Sequence, residues 1–197
     1  MKIICIEPSA GADPCSLYIK PETALTRSDW PFFVPDWCQE VAYATQLVVR
    51  INKLGKSIPE RFAHRYYDEV TVGVSFTARD VLEQLRQKGA PWAIATGFDG
   101  SAYCGQQWLR LSEMGQGASI QNLTIEAAFN DQTAAPCWTG HMRPTVDQII
   151  ALASRYYLLK TGDLVFTGLT ADAGLVNEGD VIRARLQGQE VLTCRCK

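Results

Sequence analysis

The stretch Val41-Ala42-Tyr43-Ala44-Thr45-Gln46-Leu47-Val48-Val49-Arg50-Ile51-Asn52 constrains this chain more than any other. Toward its C-terminal end it is β-branched and apolar, which predicts a long strand over roughly 41–52. Side chains on a strand alternate, so Ala42, Ala44 and Gln46 share one face. No Asp or Glu occurs from Val41 to Pro59, and the next acidic residue is Glu60. Any chemistry placed on this strand must work without a carboxylate of its own.

The rest of the chain supplies partners for such a strand. Residues 1–6 and Ser16–Lys20 read as strands, separated by a Gly/Ala/Pro-rich loop from Pro8 to Pro14. Phe32-Phe33-Val34, between Pro31 and Pro35, reads as an edge-like piece. Pro59–Tyr67 predicts a short helix. From Glu69 to Thr77 the pattern alternates: Val70, Val72, Val74 and Phe76 on one face, Thr71, Gly73, Ser75 and Thr77 on the other. That is a half-buried strand. Arg79–Lys88 predicts a helix stopped by Gly89 and Pro91. Leu123–Phe129 reads as a strand, and Thr145–Leu159 as a helix capped by Thr145, with Ile149, Ile150, Leu152, Ala153 and Tyr156 as its apolar stripe. Leu164–Gly168, Val181–Leu186 and Val191–Cys196 complete the strands. Many strands with few helices, not in βαβ alternation, indicate an α+β fold. No linker or internal repeat divides the 197 residues, so one domain over 1–197 is expected.

Composition excludes several classes of function. A net charge of −2 gives no basic face for nucleic acid. No apolar run approaches the ~18 residues of a membrane span, and the N-terminus is poorly flanked for a signal peptide. A cytoplasmic location follows as an expectation. The seven cysteines, Cys5, Cys15, Cys38, Cys104, Cys137, Cys194 and Cys196, are scattered with no Cys-x-x-Cys pair and read as reduced thiols.

Seven short motifs then occur in order: Lys20-Pro21-Glu22-Thr23, Arg50-Ile51-Asn52-Lys53-Leu54-Gly55-Lys56, Phe76-Thr77-Ala78-Arg79-Asp80, Gly89-x-Pro91-Trp92, Gly97-Phe98-Asp99, Lys160-Thr161-Gly162-Asp163-Leu164-Val165-Phe166-Thr167-Gly168 and Glu178-Gly179-Asp180. Together they resemble the fumarylacetoacetate hydrolase family from about residue 16 to the C-terminus. The resemblance implies a mixed β-sandwich roll with packed helices, and a homodimer. It implies hydrolysis, decarboxylation or isomerisation of acylpyruvate-like oxo acids. It also implies a carboxylate-bound Mg²⁺, Mn²⁺ or Ca²⁺ that stabilises an enolate.

Carried over residue by residue, the resemblance breaks at the metal. The family's Glu-x-Glu falls on Ala44-Thr45-Gln46, its Asp on Ser75, the His before the Glu pair on Ala42, and a substrate-polarising Lys on Thr96. The Thr-Gly-Thr-Pro-like turn reads Thr167-Gly168-Leu169-Thr170. The N-terminal segment 1–15 is shortened and lacks the family's Arg-Asn-Tyr. A shift of register does not repair this, because Val70–Ala78 also lacks Asp and Glu and no Lys lies between Lys88 and Lys160.

The expectation is a family member without metal or metal cofactor and with no assigned catalytic residue. It keeps a substrate-type cavity lined by Ala42, Ala44, Gln46, Ser75 and Thr96, with Asp99, Lys20 and Thr170 as further contacts. Its role would be to bind a small oxo acid, or a partner such as an active relative in a heterodimer. The alternative is an active enzyme with a remodelled or metal-free site, for which Arg50, Arg79 or Lys20 would replace the metal as electrophile. His64, His141, Cys38 and Cys104 are weaker candidates for chemistry, and Ser75 lacks a visible base to act as a nucleophile.

Overall fold

The computed structural model describes residues 1–7, 16–26, 30–115 and 119–197. The predicted loop Pro8–Pro14 and Cys15 lie outside the described residues. In chain order the strands are β1 Ile3–Glu7, β2 Ser16–Lys20, β3 Leu25–Thr26, β4 Val41–Ile51, β5 Tyr67–Ala78, β6 Ala102–Cys104, β7 Leu109–Arg110, β8 Thr124–Phe129, β9 Gln132–Thr133, β10 Cys137–Trp138, β11 Leu164–Val176, β12 Val181–Leu186 and β13 Gln189–Arg195. The helices are α1 Glu60–Ala63, α2 Arg79–Gln87, α3 Ala93–Thr96 and α4 Val146–Tyr156.

The long strand expected from Val41 is β4, and it lies at the centre of an eight-stranded sheet ordered β2-β1-β11-β4-β5-β6-β3, with β7 on β5. Its odd residues Tyr43, Leu47, Val49 and Ile51 join Val70, Val72 and Val74 of β5 in the main core. A second sheet, β10-β8-β12-β13, covers that face together with α4. Ile149, Ile150 and Ala153 of α4 are wholly buried there, and each isoleucine contributes about 1.5–3 kcal/mol. Thr145 and Gln148 close a capping box at the start of α4.

The even residues of β4 face the other way, and Val48 among them enters a smaller core with Ile3, Cys5, Cys104, Leu164 and Phe166. A flat sheet could not enclose it. The sheet curls until Lys20, on the edge strand β2, places its amine 3.0 Å from the Phe76 carbonyl of β5 and 2.6 Å from that of Ser101. The mixed α+β roll is therefore present as expected.

Three elements differ from the sequence reading. Pro59–Tyr67 is only one α-turn followed by a 3-10 turn at His64–Tyr66. Phe32-Phe33-Val34 is reduced to a single bridge from Phe32 to Cys196. The strand from Leu164 does not stop at Gly168 but continues to Val176, because register shifts opposite Gln46 and Thr45 absorb extra residues without ending the pairing.

Candidate functional site

The open end of the curled sheet forms a cavity of about 190 Å³. Its walls come from four places: Ile6, Glu7 and Tyr18 on β1 and β2; Ala42, Tyr43, Ala44 and Gln46 on β4; Ser75 and Thr77 on β5; and Leu82, Arg86, Trp92 and Thr96 on or beside α2 and α3. Antiparallel pairing sets Ala44 opposite Ser75, Ala42 opposite Thr77 and Gln46 opposite Gly73. Positions 44, 46 and 75 thus meet on one face. Below them the roll is filled: a Cβ built on Gly73 would lie 2.7 Å from Val48 and 2.9 Å from Phe166.

Gln46 is committed to the fold. β11 bulges opposite it, with Gly168 at φ +74°, and the Gln46 Oε1 accepts the Gly168 N–H at 3.0 Å. Beside it the Thr167 hydroxyl donates to the Leu47 carbonyl at 3.0 Å. Ser75 and the Cys5 thiol lie beside the Tyr18 hydroxyl. Burial, and then Cys5, push the Tyr18 hydroxyl up, so it stays protonated and can donate. Burial pushes Cys5 up to about 11. Behind them burial pulls Lys20 down to about 8, with Cys5 opposing. At the rim Arg86 Nη2 lies 2.8 Å from Glu7 Oε1.

The structure brings together Ala42, Ala44, Gln46, Ser75 and Thr96 in this cavity. It does not bring the other three expected contacts to the lining. Lys20 is fully buried among backbone carbonyls, Asp99 is exposed beyond α3, and Thr170 is exposed on β11 with its hydroxyl directed to the Gly168 carbonyl. The candidate electrophiles are also displaced. Arg50 lies at the far end of β4, 3.8 Å over the Trp108 ring and paired with Glu69, while Arg79 pairs with Glu40 on the surface. Among the described residues, the cation that lines the cavity is Arg86, which the sequence reading missed along with Tyr18 and Trp92. A signal was available: Arg86 stands four residues after Leu82, on the same face of α2. Of the weaker candidates, His64 and His141 are exposed outside this cavity, and burial raises both Cys38 and Cys104, the latter to about 12.

The three converging positions do not fit a hard divalent cation. Ala44 has no donor, the Gln46 carbonyl oxygen already accepts a backbone N–H, and Ser75 offers a neutral hydroxyl. Mg²⁺, Mn²⁺ and Ca²⁺ take oxygen ligands, with carboxylates supplying the charge that competes with water. Glu7, the carboxylate that lines the cavity among the described residues, is held by Arg86.

The model of the fumarylacetoacetate (FAA) hydrolase C-terminal family matches residues 6–197. This chain belongs to the fumarylacetoacetate hydrolase family. The mouse mitochondrial oxaloacetate tautomerase FAHD1 is 30% identical over 172 residues, covering 87% of this chain and 76% of its own length. A crystal structure of a Yersinia pestis protein assigned to the fumarylacetoacetate hydrolase family superposes with a TM-score of 0.89 at 26% identity, covering 100% of this chain and 93% of that one. The fumarylpyruvate hydrolase of Pseudomonas aeruginosa, solved with Mn²⁺ and pyruvate, shares the fold with a TM-score of 0.88 at 24% identity, over 100% of this chain and 89% of its own. The strands β4 and β5, which carry positions 44, 46 and 75, lie within the matched region.

Proposed function

We propose that this fumarylacetoacetate hydrolase family member binds a small oxo acid at the mouth of the roll through hydrogen bonds, without a divalent cation, and does not perform metal-dependent carbon–carbon hydrolysis. The observation that carries this is the donor set at positions 44, 46 and 75: a methyl group, an amide oxygen already hydrogen-bonded, and a hydroxyl. The cavity still offers polar groups for a carbonyl or carboxylate, from Tyr18, Ser75, Thr77 and Thr96. The cysteines described are free thiols, which suits the reducing cytoplasm we assign to the protein. A homodimer, or a heterodimer with an active relative, belongs to the same proposal.

Metal analysis of the purified protein, followed by calorimetric titration with pyruvate in chelator, tests it. We expect less than stoichiometric Mg²⁺, Mn²⁺ and Ca²⁺ and unchanged pyruvate binding. Stoichiometric metal that survives dialysis, or Mn²⁺-stimulated cleavage of fumarylpyruvate, overturns it.

A second reading, metal-free keto–enol tautomerisation of an oxo acid, is favoured by Glu7. Tautomerisation moves a proton between oxygen and carbon and breaks no carbon–carbon bond. A carboxylate facing the cavity can carry that proton while Tyr18 donates to the oxygen. Decay of enol-oxaloacetate absorbance, insensitive to chelator and lost in Glu7→Gln, is the expected result for this reading. Equal decay with and without the protein rejects it.

A further inference from the structure

Among the described residues, Glu7 and Arg86 are the charged side chains lining the cavity, and they face each other across its rim. We propose that Arg86 is the anchor for the carboxylate of the bound ligand, and that Glu7 stands in for that carboxylate until a ligand displaces it. This rests on the cavity being an oxo-acid site.

Three observations support the exchange. The pair is half-exposed, 49% for Arg86 and 44% for Glu7, so it is a weak contact that water and other anions can replace. The guanidinium is a planar fork whose geometry matches a carboxylate, and its contact to Glu7 runs from one nitrogen to one oxygen. The Trp92 ring lies 5.9 Å from the guanidinium carbon and lines the same cavity, an aromatic neighbour for the cation at the rim. The other arginine of α2, Arg79, instead pairs with Glu40 and does not line the cavity.

The cavity of about 190 Å³ has room for a three- or four-carbon acid. With one carboxylate on Arg86, the hydroxyls of Ser75, Thr77 and Tyr18 are left for the neighbouring oxo group. The ligand class is a short 2-oxo acid, recognised at one end by charge and at the other by neutral donors.

The test titrates pyruvate, and its neutral analogue pyruvamide, into the full chain in chelator-containing buffer. Wild type is compared with Arg86→Gln, Glu7→Gln and Ala44→Trp, each checked for an unchanged melting transition. Arg86→Gln is expected to weaken pyruvate on the order of tenfold while pyruvamide stays within about twofold. Glu7→Gln is expected to tighten pyruvate about two- to fivefold, because the internal competitor is gone. Ala44→Trp fills the cavity and is expected to abolish both. Pyruvate affinity unchanged in Arg86→Gln but lost in Ala44→Trp overturns the Arg86 assignment and leaves the cavity standing. No pyruvate binding to wild type, or binding untouched by Ala44→Trp, overturns the oxo-acid reading and the anchor with it.

Discussion

Placing carboxylates at positions 44, 46 and 75 should create a metal site in this protein. The perturbation is the triple variant Ala44→Glu, Gln46→Glu, Ser75→Asp. Ala44 and Ser75 are directly paired, which sets their Cβ atoms about 4.5–5.5 Å apart, and Gln46 follows two residues on along the same face, roughly 7 Å away. Side chains of that reach can bring oxygens to within about 2.0–2.6 Å of one ion. The carboxylate introduced at position 46 can keep one oxygen on the Gly168 N–H, as Gln46 Oε1 does now at 3.0 Å, and turn the other to the ion. At a Mn²⁺ concentration one hundred times the dissociation constant, linkage stabilises the folded state by about 2.7 kcal/mol. For a chain of this length that corresponds to roughly 5–10 °C in melting temperature. The assay is a thermal melt with 0–5 mM Mn²⁺ (about that range suffices for a micromolar site), run beside wild type, which should not shift. A folded triple variant whose melt ignores Mn²⁺ would refute the placement of the site on β4 and β5.

Three further outcomes follow from single contacts. Gln46→Leu leaves the buried Gly168 N–H without its acceptor and should cost about 1–3 kcal/mol in urea unfolding, whereas Gln46→Glu keeps an acceptor there; equal stability of the leucine variant would contradict that role. Lys20 has its folded pKa pulled below the ordinary lysine value of 10.5 to about 8, so the unfolded chain binds the proton more tightly between those values and stability from this group rises with pH through that window. Relative to Lys20→Met, wild type should therefore gain roughly 1 kcal/mol between pH 7 and 9, and a flat difference would reject a strained ammonium there. Thr145→Ala removes the hydroxyl that accepts the Gln148 N–H and should cost about 1 kcal/mol, seen as a lower melting temperature.

Much of the roll was legible because its signals are local. Alternation on β4 and β5 identified which residues face the cavity, and the observed register then paired Ala44 with Ser75. Contacts that depend on curling were not legible. Lys20 belongs to a recognisable Lys-Pro motif, yet its amine serves two carbonyls across the roll, a role that sequence spacing cannot distinguish from ligand binding. Arg86 was passed over because α2 was read only by its apolar stripe, and one face of a short helix can hold both Leu82 against a wall and a charge at its rim. The extent of β11 was misjudged at Gly168 because a glycine within a strand signals a bulge as readily as an end.

The position of the cavity and the chemistry inside it have separate origins, which explains how one can change without the other. The cavity exists because β4 runs past the filled part of the roll, where Val48 and Phe166 meet Gly73, to an end lined by small residues, Ala42 and Ala44. None of that depends on ionised groups at positions 44, 46 and 75. Gln46 is where the two origins meet. As an amide it satisfies the bulge in β11 through its oxygen, and a carboxylate there would keep an acceptor for the same N–H while adding a negative charge to the cavity. Ala44 and Ser75 carry no comparable duty to the backbone. A roll of this kind can therefore vary the side chains at these three positions and keep its strands in register, leaving the pair Glu7–Arg86 as the ionic feature of the lining among the described residues.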